Sequence, residues 1–147
     1  MFSKSTEYAL RALIYLSQNS SIDRKIGMLE LSEAIDSPKS FTAKILQHLT
    51  QGNKLISSVS GPSGGFYLAE EAKKTSILEV LEHLDKDQTI SGCILGLREC
   101  SELNPCPMHA DYKKIRSQML EMLGTKSLET LASEMNDPMV VINNIKR

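Results

Sequence analysis

The fold is decided by residues 37–68, which read SPKSFTAKILQHLTQGNKLISSVSGPSGGFYL. The first part of this stretch predicts a helix over residues 38–51, because its apolar residues recur at helical spacing. Those residues are Phe41, Ile45, Leu46 and Leu49. We expect Ser37 to cap this helix and Pro38 to be its first residue, where the N–H that proline lacks would have no partner anyway. The apolar residues should face inward, and polar and basic side chains should face outward.

Two helical patterns precede this helix, over residues 6–18 and 28–35. The inner face of the earlier pattern is predicted to hold Leu10, Leu13, Ile14 and Ser17. The segment Asp36-Ser37-Pro38 then separates the later pattern from the helix at 38–51. Two short helices joined by a tight turn, the second with a basic outer face, predict a helix-turn-helix. Any pair of packed helices would show the same periodicity, so these helices alone leave DNA binding open.

The second part of the stretch predicts a β-hairpin. Residues 55–59 and 66–68 are β-prone and flank the turn sequence GPSGG at residues 61–65. A hairpin directly after a helix-turn-helix is a wing, and its glycines would allow positive φ angles and a close approach to phosphate. An ordinary turn would also explain the glycines. The spacing is not that of a nucleotide-binding P-loop.

Two short helices are predicted after the wing. One spans residues 76–84 and begins with a capping box formed by Ser76 and Glu79. The other spans residues 128–135 and is capped by Ser127.

The longest predicted helix spans residues 108–123 and ends at Gly124. Five of its side chains are spaced alternately by four and three residues, which is an a/d seam. They are Met108, Tyr112, Ile115, Met119 and Met122. A small winged domain has little else to cover such a seam, and paired DNA half-sites suit a two-fold partner. We therefore expect a homodimer interface here, with packing against the chain's own domain as the alternative.

The three cysteines lie within fourteen residues and form, with one histidine, the pattern Cys93-x6-Cys100-x5-Cys106-x2-His109. Such clustering, with an odd number of cysteines, indicates a metal or redox site rather than disulfides. Thiolates and imidazole bind both zinc and the iron of iron–sulfur clusters. Zinc fingers usually place two to four residues between paired ligands, so the wide gaps favour a cluster. A zinc site, a reactive thiol pair and inert cysteines stay open.

An enzyme site is not indicated. Cys106 and His109 are close in sequence, but no third catalytic partner or substrate-binding motif accompanies them. We therefore expect no catalytic residues and no small-molecule substrate. His83 is interpreted as a solvated side chain at a helix end.

Composition and charge are those of a globular protein of 147 residues. No apolar run reaches the ~18 residues that span a membrane, and the first residues lack the apolar core of a signal peptide. We therefore expect a cytoplasmic protein with no membrane partner. The formal net charge is −1, but residues 37–60 carry three lysines and no acid. This weak basic stripe is compatible with nucleic acid and with plain solvation.

Four segments together resemble the Rrf-type winged helix-turn-helix regulators, a family that includes IscR, NsrR and CymR. They are EYALRAL at 7–13, PxxFxxxILxxL at 38–49, IxSVxGPxGGFxL at 56–68, and the three cysteines followed by Pro107-Met108-His109. The resemblance covers about residues 1–135.

The resemblance implies an iron–sulfur cluster of the 2Fe–2S or 4Fe–4S type, bound by Cys93, Cys100 and Cys106. In IscR-like members a histidine three residues after the last cysteine is the fourth ligand, and His109 has that position. In some nitric-oxide-sensing members the fourth ligand is instead an acidic residue near the start of the first helix of the partner subunit, and Glu7 matches it. We prefer His109 because it is closer in the chain.

The chain departs from the family pattern in three places. The first cysteine gap is six residues where five is common. Ser60 stands where a basic residue usually precedes the wing Gly-Pro. Asn53-Lys54 stands where Ala-Gly is usual, and Lys54 would restore a positive charge.

The predicted fold is mainly α with a small β-hairpin wing, that is, a winged helix-turn-helix domain plus a long dimerisation helix. The expected segments are 1–84 for DNA binding, 85–107 for the cluster loop, 108–135 for the dimerisation helix and a short C-terminal helix, and 136–147 for a flexible tail.

The expected function is a homodimeric repressor of a double-stranded DNA operator, switched by redox state or nitric oxide acting on the cluster. Its recognition helix would read the major groove and its wing would contact the DNA backbone. The expected DNA-binding residues are Pro38, Lys39, Ser40, Lys44, Gln47, His48, Lys54, Ser60, Gly61, Gly64 and Gly65. The alternatives are a winged-helix regulator without a cluster, sensing through zinc or thiols as in the CymR branch, and a thiol or metal enzyme.

Overall fold

The structure, a computed structural model, describes residues 2–51, 55–84, 91–137 and 139. These residues form two compact units. The winged-helix unit comprises Phe2–Thr75 and the chain from Ser127, and the cysteine-loop unit comprises Ser76–Lys126. The sequence-based division into segments for DNA binding, cluster, dimerisation and tail is a functional one and stays a prediction. Lys54 and most of the predicted tail lie outside the described residues.

Helix α1, Lys4–Asn19, is the centre of the winged-helix unit. Its Ser3 cap accepts a hydrogen bond from the backbone N–H of Thr6, which pairs one of the N–H groups that a helix start leaves free. Ala12, Leu13 and Leu16 are fully buried. The helix predicted over residues 6–18 is thus confirmed, with a slightly longer span.

Helices α2, Met28–Ala34, and α3, Lys39–Thr50, form the predicted helix-turn-helix and pack against each other and against α1. Asp36 turns the chain between them with a φ of 50°. Aspartate tolerates this left-handed conformation better than most residues.

The predicted start of α3 is wrong by one residue. Pro38, not Ser37, occupies the N-cap position, and no side chain caps the helix there. The Ser37 hydroxyl instead accepts a hydrogen bond of 3.1 Å from the Thr42 hydroxyl. An extended ψ at Pro38 places the first helical residue at Lys39.

The predicted inner face of α3 is wrong at one position. Its buried side chains are Thr42, Ile45, Leu46 and Leu49, whereas Phe41 is 46% exposed. Spacings of three, four and seven residues put the buried four on one stripe, and Phe41 falls beside it. The Phe41 ring lies against Tyr8, with ring centroids 6.0 Å apart.

The wing is the antiparallel hairpin of β1, Ser57–Val59, and β2, Gly65–Tyr67. Ile26 adds a third segment that the sequence did not predict. It exchanges both backbone hydrogen bonds with Phe66, at 2.8 and 2.9 Å. Gly65 has a φ of 148°, and a Cβ at this position would lie 2.8 Å from the Ile26 carbonyl oxygen. Only glycine leaves room for this close pairing.

Two more helices complete the winged-helix unit. Helix α4, Glu70–Lys73, is a single turn that the sequence did not predict. Helix α7, Leu128–Glu134, packs on α1, and its predicted Ser127 cap is confirmed by a hydrogen bond of 3.1 Å from the Thr130 N–H.

The cysteine-loop unit contains α5, Ile77–Leu84, and α6, His109–Thr125, which pack against each other. The predicted capping box is confirmed. The Ser76 N–H donates to the Glu79 carboxylate at 2.8 Å, and the Glu79 N–H donates to the Ser76 hydroxyl at 3.2 Å. The Ser76 hydroxyl also donates to this carboxylate at 2.7 Å, and the hydrogen bonds from the Ser76 N–H and hydroxyl lower the pKa of the Glu79 carboxyl.

The predicted end of α6 is wrong. Gly124 lies inside the helix, which continues to Thr125, because Gly124 does not adopt the left-handed conformation of a C-terminal cap. A Cβ on Gly124 would lie 3.7 Å from Leu78 of α5.

Over the described residues the architecture is therefore mainly helical with one small hairpin, as the sequence predicts. In the described part of the chain, no helix is both long and apolar enough to cross a bilayer.

The Ile26–Phe66 pairing predicts that Gly65→Ala will destabilise the protein. The new Cβ would meet the Ile26 carbonyl at a strained φ, so we expect a loss of about 1–3 kcal/mol in the free energy of unfolding. Denaturant unfolding measures it. Ser63→Ala, in the exposed turn of the same wing, should change stability by less than about 0.5 kcal/mol. Equal stability of the two variants would contradict the close pairing.

Candidate functional site

The outer face of α3 presents all the side chains expected to contact DNA from this helix. Exposed there are Lys39, Ser40, Lys44, Gln47 and His48, with Pro38 exposed at the helix start. Burial of the opposite stripe fixes this orientation, since turning the helix would expose its apolar side chains. The face is positive and polar, which suits phosphate oxygens and base edges.

The wing glycines differ in their surroundings. Gly61 is exposed, has a φ of 105°, and has open space where a Cβ would lie. At Gly64 a Cβ would collide with the backbone of Val59, and at Gly65 with that of Ile26. Backbone packing within the protein therefore explains why glycine is needed at positions 64 and 65. Of the predicted wing contacts that the structure describes, Ser60 and Gly61 are the exposed ones.

An aromatic and basic cluster near the start of α3 was missed by the sequence analysis. The Arg11 guanidinium lies 4.6 Å from the centroid of the Tyr8 ring and donates to the Ile35 carbonyl at 3.0 Å. The Phe41 ring packs against the same Tyr8 ring. The signal was the i, i+3 spacing of Tyr8 and Arg11 on α1, which places both on one side of that helix.

The cysteine loop brings its four predicted ligands together as two pairs. The Cys100 sulfur lies 3.3 Å from Nδ1 of His109. Cys106 lies close enough to Cys93 to contribute to the lowered pKa of the Cys93 thiol. All three cysteines are half-buried and none is in a disulfide.

The Cys93 sulfur lies in a cradle of backbone N–H groups. Hydrogen bonds from the N–H groups of Leu97 and Leu95 lower the pKa of the Cys93 thiol, with smaller contributions from Cys106 and Gly96. A tight turn forms this cradle, since the Gly96 N–H donates to the Cys93 carbonyl at 2.9 Å. The cradle favours the thiolate, which is the form that binds metal.

His109 is the first residue of α6 and is buried. Its backbone N–H donates to the Cys106 carbonyl at 2.9 Å, which fixes the loop to the helix. Its Nε2 is buried and has no hydrogen-bond partner among the described residues. Buried polar atoms of this kind are rare, because they lose water without gaining another partner.

Two further contacts hold the loop on α6. Lys113 pairs with Glu102, and this ammonium lowers the pKa of the Glu102 carboxyl. Arg116 donates to the Ser91 carbonyl at 2.9 Å. A cleft of about 560 Å³ opens beside Cys106 and His109. Within the described ranges, no three His, Cys, Asp or Glu side chains converge as ligands of a single ion.

Glu7, the alternative fourth ligand, lies on α1 in the winged-helix unit. Its carboxylate is 2.6 Å from the Lys4 ammonium, and this contact lowers the pKa of the Glu7 carboxyl.

The seam of α6 leaves much apolar surface uncovered. Ile115 is 61% exposed and Met122 is 57% exposed, while Tyr112 and Met119 are half-buried.

The unpartnered His109 Nε2 predicts that His109→Leu will not destabilise the metal-free protein. Leucine removes a buried polar atom whose desolvation costs about 1–3 kcal/mol, and it loses only the weak contact with Cys100. We expect the free energy of unfolding, measured after chelator treatment, to stay equal or to rise. His83→Leu, on the exposed part of α5, is the matched control. A loss of more than about 2 kcal/mol for His109→Leu alone would show that the imidazole is a structural group.

Comparison with known protein families identifies this set of features. A family model described as "Rrf2: Iron-dependent Transcriptional regulator" matches residues 2–134. A protein of Aquifex aeolicus assigned to the HTH-type transcriptional regulators is 32% identical over 133 residues, covering 89% of this chain and 90% of its own. The HTH-type transcriptional regulator IscR of Xenorhabdus nematophila is 27% identical over 124 residues, covering 84% of this chain and 74% of its own.

Solved structures show the same fold. CymR, described as the global cysteine regulator of B. subtilis, superposes with a TM-score of 0.74 at 20% identity, covering 91% of this chain and 97% of its own. T. potens IscR superposes with a TM-score of 0.74 at 15% identity, covering 97% of this chain and 93% of its own. The winged-helix prediction is confirmed. These relatives are transcriptional regulators and not enzymes, which confirms the expectation of a non-catalytic function.

Proposed function

This chain belongs to the Rrf2 family of transcriptional regulators, and from this premise we propose that it is a homodimeric DNA-binding regulator whose cysteine loop holds an iron–sulfur cluster. The observation that carries the cluster proposal is the environment of His109. Its Nε2 is buried and unpartnered among the described residues, and its ring lies beside Cys100. Nδ1 is the imidazole nitrogen that faces Cys100, and because Nε2 has no hydrogen bond within the described residues, no competing partner holds the ring away from iron.

The donor set fits a cluster of more than one iron. The four side chains fall into two pairs, Cys93 with Cys106 and Cys100 with His109. A single structural zinc ion needs four donors at about 2.0–2.3 Å from one point. Two separated pairs instead suit a two-iron centre, in which each iron takes its own ligands. The half-burial of the cysteines would leave such a centre open to a small oxidant or to nitric oxide.

A bound cluster would supply a centre that changes oxidation state or is lost when a signal molecule attacks it. The residues of the chain would stabilise the thiolate ligand and hold the loop on α6. The N–H cradle at Leu95–Leu97 stabilises the Cys93 thiolate. Lys113 and Arg116 hold both sides of the loop on α6. A change in the loop would therefore reach the helix that carries the seam.

His109 is the fourth ligand that these contacts favour. Glu7 already accepts a hydrogen bond from Lys4 at 2.6 Å, so binding iron would require that ion pair to break. Iron binding by His109 would break no comparable ion pair, and its Nε2 has no partner among the described residues.

A second candidate is a cluster-free regulator that senses through its thiols. The proximity of Cys106 to Cys93 favours it, because two neighbouring thiols, one with a lowered pKa, form a disulfide when an oxidant such as a peroxide takes up two electrons and two protons. The fold neighbour CymR makes this alternative consistent with the comparisons.

DNA binding would use the exposed face of α3 in the major groove and the tip of the wing on the backbone. Lys39 and Lys44 would neutralise phosphates, and Ser40 and Gln47 would reach base edges. We expect binding to repress transcription. The uncovered seam of α6 would pair with a second copy, which gives the two-fold symmetry that a palindromic operator needs.

The cluster proposal predicts that anaerobically purified protein is brown, absorbs broadly near ~400 nm, and contains iron and sulfide in equal amounts. Cys100→Ser should lower the iron content by more than half, because one ligand of the Cys100–His109 pair is lost. Iron, sulfide and zinc are measured on the same samples.

Glu99→Gln is the matched control for this measurement, because Glu99 is exposed in the same loop. Its iron content should equal that of the wild type. Stoichiometric zinc without sulfide would contradict the cluster, and a metal-free sample that resists reconstitution would favour the thiol alternative.

The DNA-binding proposal predicts that Lys44→Ala weakens binding to a fragment selected by the wild-type protein from random DNA. Loss of one phosphate contact should reduce affinity about tenfold and lower the salt dependence by roughly one counterion. Fluorescence anisotropy across a salt series measures both.

Lys74→Ala provides the comparison at equal net charge, since Lys74 is exposed after α4 and away from α3 in sequence. Its affinity should stay within about twofold of the wild type. Equal losses for the two variants would mean that net charge, and not the α3 face, determines binding.

A further inference from the structure

One large apolar side chain lies exposed on α3 beside the residues expected to contact DNA. Phe41 is 46% exposed, and it is the third residue of the helix, which begins at Lys39. Lys44 and His48 follow it by three and seven residues, so they share its side of the helix, and both are exposed. In helix-turn-helix proteins the first residues of the recognition helix contact base edges. Phe41 therefore lies in the turn of α3 that is expected to reach the bases.

Contacts with α1 restrict the position of the Phe41 ring. The Tyr8 ring lies against it, with ring centroids 6.0 Å apart. The Arg11 guanidinium lies 4.6 Å from the centroid of the Tyr8 ring and donates to the Ile35 carbonyl, at the end of α2, at 3.0 Å. A side chain that is already ordered loses less conformational entropy when a partner binds.

The surroundings of Phe41 indicate that its partner is nucleic acid. Its exposed neighbours on α3 include Lys39, Ser40 and Lys44. No acidic residue occurs between residues 37 and 60, so this side of the helix is positive. A positive surface is complementary to phosphate groups, and the apolar ring lies at its edge.

A phenyl ring can recognise one feature of the major groove. The ring of Phe41 has no hydrogen-bond donor or acceptor, so it cannot pair with the polar atoms of the base edges. The C5-methyl group of thymine is the apolar group that these edges present, and apolar side chains contact it. The chemistry of the ring therefore matches thymine and no other base.

We propose that Phe41 selects thymine at one position of each operator half-site, through contact of its ring with the C5-methyl group. The inference rests on the DNA binding proposed above and adds a specificity-determining residue to it. Contacts from Lys39 and Lys44 to phosphates carry no sequence information directly. The Phe41 contact would distinguish thymine from cytosine, which has no methyl group and presents a donor instead.

The test uses the full-length protein and the DNA fragment that the wild-type protein selects from random sequence. Each thymine of the two half-sites is replaced in turn by uracil, which lacks only the C5-methyl group. At one symmetric pair of positions the replacement should weaken binding by the wild type about tenfold, because the burial of two methyl groups is lost. Phe41→Ala should bind the thymine and uracil fragments with affinities within about twofold of each other. Fluorescence anisotropy measures all four affinities.

Two further variants strengthen the assignment. Phe41→Leu keeps an apolar side chain beside Tyr8 and should lose only part of the preference for thymine over uracil, which keeps the test valid if Phe41→Ala does not fold. Ile22→Ala is the matched control, because Ile22 is a large apolar residue that is 66% exposed in the loop after α1. It should keep the full preference for thymine.

The salt dependence separates this contact from the phosphate contacts. Phe41→Ala should show the same salt dependence as the wild type, because an uncharged contact releases no counterion. The same preference for thymine in the wild type and Phe41→Ala, or the absence of such a preference at every thymine, would overturn the proposal while DNA binding stands. Failure of the wild type to bind any selected fragment would contradict both this contact and the DNA binding on which it rests.

Discussion

The winged-helix unit depends on the burial of one side of α1. Leu13 and Leu16 are fully buried there, and α2, α3, α7 and β2 all contact this helix. Burial of one leucine contributes about 1.5–3 kcal/mol, so the packing on α1 fixes how the other elements lie. It also fixes which side of α3 faces solvent. The same interaction that stabilises the unit therefore decides which side chains are free to meet DNA.

Several local signals in the sequence predicted local structure correctly, although the expected caps at Ser37 and Gly124 were wrong. The caps at Ser76 and Ser127 and the position of the wing depend on residues within a few positions of each other, and all three were found. The pairing of Ile26 with Phe66 joins segments forty residues apart, and no periodicity reports such a contact. The exposure of Phe41 was missed for a related reason. Apolar spacing identifies a stripe, but only the packed partner decides which edge residue is left outside.

The candidate site was predictable in composition but not in arrangement. Cysteine and histidine spacing indicated which side chains of the loop to consider as ligands, whereas the pairing of Cys100 with His109 depends on how the loop folds back on α6. For the wing glycines, the sequence predicted contacts with DNA, whereas the structure shows that two of them are required by backbone contacts inside the protein. Ser17 is a buried polar residue of α1 whose surroundings the sequence predicted only in part. Its position on an otherwise apolar face predicts burial, and only the structure shows that its hydroxyl has no partner among the described residues.

Under the proposed function, a change of ligand in the cysteine loop would alter the affinity for DNA, and the size of the response would equal the difference in affinity between two states. The most direct test measures the dissociation constant for selected DNA with one anaerobic preparation before and after chelation of its iron, and again after reconstitution. We predict a change of about tenfold or more that reconstitution reverses. The same dissociation constant in all three samples would contradict the claim that an iron–sulfur cluster controls DNA binding.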